Sequence, residues 1–205
     1  MSMIPMIRIS VLLMVTWFSQ ALWAGDSVPE QLVQTTADEV LGIIKAKQQQ
    51  FKEDPSSMYA MVDKKVLPHF DFDRMTDLAL GRYKRQVNGD QRPKLVQEFR
   101  NLLVRTYGKA LLEYNDQEIL YLPMRGSVEK GEVTVRTEIQ QKGGFPIPLN
   151  YELYQKDDNS WKVYDISVDN ISLVTNYRAS FAKEIKANGI DGLIQVLQNR
   201  NKEEG

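Results

Sequence analysis

From Trp161 to Leu197 the chain reads WKVYDISVDNISLVTNYRASFAKEIKANGIDGLIQVL, and its hydrophobic period changes within that run. Trp161 to Val168 is rich in β-branched and aromatic residues, as a strand is. The turn-forming Asp157, Asp158, Asn159 and Ser160 precede it. Plain alternation puts Tyr164, Ile166 and Val168 on one face and Trp161, Val163, Asp165 and Ser167 on the other. Asp169 or Asn170 then offers a helix cap. Val174, Tyr177, Phe181 and Ile185 recur at helical spacing. Asn188-Gly189 predicts a stop, Asp191 the cap of a last helix striped by Ile194 and Leu197, and Asn199 to Gly205 a frayed polar tail.

Working back toward the N-terminus, Gln117–Met124, Glu132–Gln141 and Ile147–Gln155 read as three more strands separated by glycine-bearing links. Val133, Val135 and Ile139 share one face of the second strand; Ile147, Leu149, Tyr151 and Leu153 alternate likewise in the third. The first is apolar on both faces, through Ile119 and Tyr121 and through Leu120, Leu122 and Met124. Before the strands come helices. Ser27-Val28-Pro29-Glu30 is a capping box, opening a helix with Leu32, Val33, Val40, Ile43 and Ile44. Asp54-Pro55 starts a second helix, which Pro68 stops. A short helix runs from about Asp71 to Leu80 and ends at Gly81. Asp90 to Tyr114 is the longest, and Leu95, Phe99, Leu102, Leu103, Tyr107, Ala110, Leu111 and Tyr114 spread over a broad arc. Helices first, strands next and helices last predict an α+β domain: a four-stranded antiparallel sheet, curved, with about six or seven helices packed on it. Periodicity does not separate a filled core from a cavity under such an apolar helix, and dense packing of interiors makes the filled core the default.

Residues 1–24 stand apart. Arg8 is their only charge, Ile9 to Phe18 is mostly apolar, and Ala24 is small. This is the composition of a secretory signal peptide, and the apolar run is well short of the ~20 residues that span a bilayer. Residues 25–205 then form one domain. The chain has 26 basic against 27 acidic residues, without the basic stripe that nucleic acid requires. It has no cysteine, which excludes disulfides, a CxxC redox pair, thiolate metal sites and lipid attachment through a thiol.

Catalytic signatures are missing: no G-x-S-x-G, no phosphate-cradling glycine loop, no H-E-x-x-H. His69 is the only histidine, and Asp71 and Asp73 beside it match no metal-ligand spacing. Arg82, Lys84, Arg85, Arg92 and Lys94 form the densest basic patch, read as solvated surface or as a contact for anionic head groups. Arg178, next to Tyr177, is placed to pair with Asp165 or Asp73.

The order and spacing of several short marks resemble the MlaC family of periplasmic phospholipid carriers, also known as toluene-tolerance auxiliary proteins. The marks are Leu67-Pro68-His69-Phe70-Asp71-Phe72, Gly81 with Tyr83, Phe99-x-x-Leu102-Leu103-x-x-Thr106-Tyr107, Pro146-Ile147-x-Leu149-x-Tyr151, Trp161-Lys162-x-Tyr164-Asp165, Ile171-Ser172-Leu173, Asn176-Tyr177-Arg178 with Phe181, and Gly189-Ile190-Asp191-Gly192-Leu193. Asp169-Asn170 departs from the acidic residue and glycine that many relatives carry there. The resemblance implies a carrier in the periplasm of a Gram-negative cell that makes and breaks no bond and needs no cofactor or metal. It would shuttle glycerophospholipid between an outer-membrane lipoprotein/porin complex and an inner-membrane ABC transporter with its periplasmic lipid-binding subunit, maintaining outer-membrane asymmetry. It also favours the cavity over the filled core. By position, the tail-contacting set would be Leu103, Tyr107, Leu111, Val133, Val135, Leu149, Tyr151, Leu153, Val163, Ile166, Val168, Ile171 and Val174; each is also a plausible ordinary core residue. Two rival readings are a periplasmic cone-fold enzyme using an Arg178/Asp165 dyad and a binding protein for apolar polypeptide segments.

Overall fold

The computed structural model describes residues 28–114 and 117–203. The expected signal peptide and Ser27 of the capping box lie outside them. Helix α1 (Val28–Glu53) leaves helical geometry once, at Lys47. Helix α2 (Pro55–Lys65) starts where Asp54 accepts a hydrogen bond from the Ser56 N–H and where proline occupies the first turn. A single 3-10 turn, Leu67–His69, leads to α3 (Phe72–Leu80), which Asp71 caps through the Arg74 N–H. After a second 3-10 segment (Gly81–Gln86) comes α4 (Gln91–Leu112). At 22 residues α4 is the longest unbroken helix; α1 and the last helix are longer but interrupted.

Five strands follow in chain order: β1 (Ile119–Ser127), β2 (Glu132–Ile139), β3 (Ile147–Gln155), β4 (Trp161–Val168) and β5 (Ile171–Ser172). They form one antiparallel meander, β1-β2-β3-β4-β5. The expected four strands are present and a fifth is added, because Asp169 and Asn170 do not cap a helix. Both take positive φ, 49° and 63°, the geometry of a two-residue hairpin turn that Asp and Asn tolerate. The chain turns back, pairs Ile171 with Val168, and enters α5 (Leu173–Glu203) only after Ser172. Ser172 Oγ accepts from the Thr175 N–H at 3.1 Å, and the Asp165 carboxylate accepts from the Val174 N–H at 3.2 Å. A residue nine-tenths buried on the sheet therefore caps the helix.

Gly189 interrupts α5 at φ 72° and ψ −174°, a conformation open to glycine and strained for other residues. The helix then continues to Glu203. Through Glu203 the expected tail is helical and docked, while Glu204 and Gly205 lie outside the described residues: Asn201 is buried and its Nδ2 donates to the Glu98 carbonyl at 3.0 Å and to Glu98 Oε2 at 2.7 Å. The helical count is thus five among the described residues, with α1 and α5 each in two segments.

Three apolar clusters hold the fold. The first joins α3, α4 and α5 through Leu80, Leu95, Phe99, Leu102, Phe181 and Leu193. Phe99 meets Phe181 and Tyr177 edge to face, each at 5.1 Å between ring centres. The second lies on the sheet and the third between α1, α2 and α4. Helix α4 does not roof the sheet as expected. It packs against α5, α3, α2 and α1, with Leu103 in the first cluster and Leu111 against the third. The sheet meets α1 through β2, α3 through β4, and α5 through β4 and β5.

Candidate lipid-binding site

Register decides which side chains share a face. Val133 pairs with Leu153, Val135 with Tyr151, Thr137 with Leu149 and Ile139 with Ile147. Across the next ladder Leu149 pairs with Val168, Tyr151 with Ile166 and Leu153 with Val163. The register shifts between Glu152 and Leu153, so Tyr164 is an extra residue in β4. That bulge reverses the alternation. Val163 and Trp161 are returned to the same face as Ile166 and Val168, where unbroken alternation had separated them. A second irregularity in β1, between Leu122 and Arg125, brings Met124 against the sheet cluster beside Tyr121. Nine of the proposed contact residues, Val133, Val135, Leu149, Tyr151, Leu153, Val163, Ile166, Val168 and Ile171, thus lie on one inward face. Leu103 and Val174 are buried in the helical core, and Leu111 packs beside α1 and α2.

This face is graded. Val133, Leu153, Trp161 and Val163 at one end, and Val135 in the row of Tyr151, are buried beneath Leu32 and Val33 of α1 and beside Phe70. Further along, Tyr121, Leu149, Tyr151, Ile166 and Val168 keep part of their surface accessible. At the far end Ile147 is 37% exposed and Ile171 60%, and Phe145 in the adjoining β2–β3 link is 93% exposed. Tyr107 stands at the margin of α4, half-exposed and hydrogen-bonded to Tyr177.

The phenols report the electrostatics. Desolvation, with the Asp38 charge on α1 adding to it, pushes Tyr121 up to about 12. Tyr151 is raised further, chiefly by desolvation, although its surface is not closed off. Tyr151 thus combines a water-poor setting with residual accessible surface. Thr137 is the buried polar member of this face, and its hydroxyl donates to the Leu149 carbonyl at 2.6 Å. Apart from Thr137 and the two phenols this face is apolar, a surface suited to hydrocarbon. A separate groove of about 580 Å³ between α1 and α2, lined by Gly42, Ile43, Ala46, Ala60 and Met61, shares only Asp38 with these surroundings.

The polar dyad required by an enzyme does not assemble. Arg178 Nε donates to the Leu78 carbonyl at 2.7 Å, and its stem lies against Gly81. Asp165 accepts from Ser172 Oγ and the Val174 N–H, and Asp73 pairs with Arg92 at 3.2 Å. The expected pairing of Arg178 with either acid is thus replaced. Arg92 also binds Asp77 at 2.5 Å, so the basic patch is partly neutralised by its own fold. His69 is lowered from its ordinary value by desolvation and by Lys162. Among the described residues no cluster of His, Cys, Asp and Glu could hold a metal.

Sequence reasoning missed a joint at the closed end. The Arg74 guanidinium lies 4.0 Å from the Tyr154 ring centre and 4.1 Å from that of Tyr164, and it pairs with Glu132 at 2.9 Å. Tyr154 donates to the Asp71 carboxylate, and Lys162 Nζ to the Pro68 carbonyl at 2.5 Å. The signal was available in the marks Leu67 to Phe72 and Trp161 to Asp165, which this joint brings together.

An apolar sheet face left open at one end is a surface suited to an apolar ligand. The MlaC protein family model matches residues 34–199, and the chain belongs to that family. It is 29% identical over 190 residues to the toluene tolerance protein ttg2D of Pseudomonas putida, covering 92% of this chain and 87% of the relative. It is 27% identical over 176 residues to the intermembrane phospholipid transport system binding protein MlaC of Haemophilus influenzae, covering 85% and 82%. Among solved structures, the phospholipid-binding protein from Ralstonia solanacearum in complex with a phospholipid superposes with a TM-score of 0.78. The match has 34% identity and covers 85% of this chain and 97% of that one.

Proposed function

We propose that this protein is a periplasmic carrier that encloses the acyl chains of a glycerophospholipid against the inward sheet face and leaves the head group near the open end. The single observation that carries the reading is the graded face, on a fold whose Ralstonia solanacearum neighbour holds a phospholipid. Family membership supports periplasmic carriage without chemistry. Residues 1–24 serve as an export signal removed before folding of the single domain. The tail contacts are Tyr107, Leu149, Tyr151, Ile166, Val168 and Ile171, with Val133, Val135, Leu153 and Val163 forming the floor behind them.

The energetics match the role. A buried methylene is worth about 0.8 kcal/mol, so two chains with roughly 28 methylenes would cost about 22 kcal/mol in water. Enclosure of the tails must offset most of that, which makes affinity depend on the chains more than on the head group. Release from so tight a site calls for an energy source, in keeping with an inner-membrane ABC transporter and its lipid-binding subunit at one end of the route. An outer-membrane lipoprotein/porin complex stands at the other. Detergent-free purification from periplasmic extract, followed by native mass spectrometry and lipid extraction, tests the proposal. Stoichiometric phospholipid is expected; a stably folded, lipid-free protein, or one carrying peptide, would overturn it.

A further inference from the structure

We infer that Phe70 is the end wall of the lipid site and sets how much acyl chain the carrier encloses, with the joint around Arg74 holding it in place. This rests on the carrier reading and deepens it by naming the determinant of chain length.

The grading of the sheet face locates the wall. An acyl chain entering past Ile147 and Ile171 runs over Leu149, Val168, Tyr151 and Ile166 before reaching the closed rows of Leu153 and Val163. Phe70 stands at that boundary. It forms a parallel bridge with Val163, so both side chains take the same inward face. Its ring packs against the sheet cluster and also against the helical cluster, and it stacks on Phe72 at 5.8 Å. It remains half-buried beside fully buried neighbours, so part of its surface is available to a ligand.

The backbone that carries Phe70 is fixed with unusual density. The Asp71 N–H donates to the Val163 carbonyl at 2.9 Å, and Lys162 grips Pro68 from the other side. The Asp71 carboxylate accepts from the Arg74 N–H at 2.8 Å and from Tyr154. Arg74 is then sandwiched by Tyr154 and Tyr164 and tied to Glu132. By register Glu132 and Tyr154 belong to the outward side, away from the proposed lipid path, and the bulged Tyr164 packs edge-on against Tyr154 there. A polar network on the outward side that converges on one half-buried inward aromatic acts by positioning it.

The test uses the full-length exported protein and competition among dimyristoyl, dipalmitoyl and distearoyl phosphatidylglycerol, alongside the acyl profile of the copurified lipid. Phe70→Ala should shift both toward longer chains, each newly enclosed methylene adding about fourfold in affinity. Phe70→Trp should shift both toward shorter chains, and Phe70→Leu substitutes where the alanine variant fails to fold. Arg74→Ala should broaden the profile without a directional shift, and Arg74→Lys should not restore it, because an ammonium neither stacks nor forks as guanidinium does. Unchanged profiles in folded Phe70 variants, or shifts in the same direction for Ala and Trp, would overturn the wall. Wild-type protein free of phospholipid would instead overturn the carrier reading beneath it.

Discussion

Leu153 and Leu149 lie on one strand, one face and one sequence period, yet Leu153 is fully buried and Leu149 is not. Val163 and Val168 repeat the contrast on β4. Composition does not separate these pairs. What differs is the cover: α1 and Phe70 close one end, while β5 and the β2–β3 link leave the other open. On the proposed reading one end of the sheet is core and the other the binding wall, and both are built from the same kinds of residue.

The largest expected effect falls on the open end. Leu149→Glu or Ile171→Glu should abolish copurified phospholipid while secretion and the folded circular dichroism spectrum persist, because a carboxylate facing hydrocarbon is strongly disfavoured. Retention of lipid by both variants would remove the functional half of the contrast. At the closed end the readout is stability. Leu153→Ala should cost about 2–5 kcal/mol in denaturant unfolding, whereas Leu149→Ala in lipid-free protein should cost markedly less, since partly exposed sites leave smaller cavities. Equal losses would mean that the two ends are a single core.

Much of this was legible in the chain. β3 and β4 fall at their expected bounds, and Asp54, Asp71 and Gly81 mark helix ends as their chemistry requires. What escaped depends on small or distant events. One extra residue, Tyr164, inverts a period of two without leaving a compositional trace. Asp169 and Asn170 suit a helix cap and a tight hairpin equally well, and only the pairing of Ile171 with Val168 distinguishes them. Asn201 is polar and near the end of the chain, so its docking on Glu98 is invisible before α4 and α5 are brought together. The candidate site was read as a list of apolar positions. The list mixed the sheet face with Leu103 and Val174, because helical period cannot say which neighbour a helix chooses.

A smaller effect sharpens the boundary between the two ends. Arg74→Ala removes two ring contacts and an ion pair with Glu132 from a partly exposed site, for about 1–3 kcal/mol. The loss should appear in chemical unfolding. Hydrogen exchange should rise first in the Leu67–His69 turn and in β4, and leave the α4–α5 contact protected, if the joint is local to the closed end.

The smallest expected effect is electrostatic and lies midway along the face. Desolvation, with the Asp38 charge adding to it, pushes Tyr121 up to about 12. A phenol whose folded value exceeds its unfolded value of about 10 holds its proton more tightly in the folded state. Its contribution to stability is therefore complete below about pH 10 and declines as pH rises toward 12. Tyr121→Phe should flatten the alkaline fall in stability across that interval, and Asp38→Asn should reduce it in part, leaving the dominant desolvation. Lipid loading gives the sharper comparison. Hydrocarbon placed against Tyr121 strips more water from the ring, so phenolate absorbance should appear at higher pH in loaded than in delipidated protein, and the difference should vanish in Tyr121→Phe. An identical titration in both states would place the acyl chains away from this part of the face and confine the binding wall to the rows nearer Ile171.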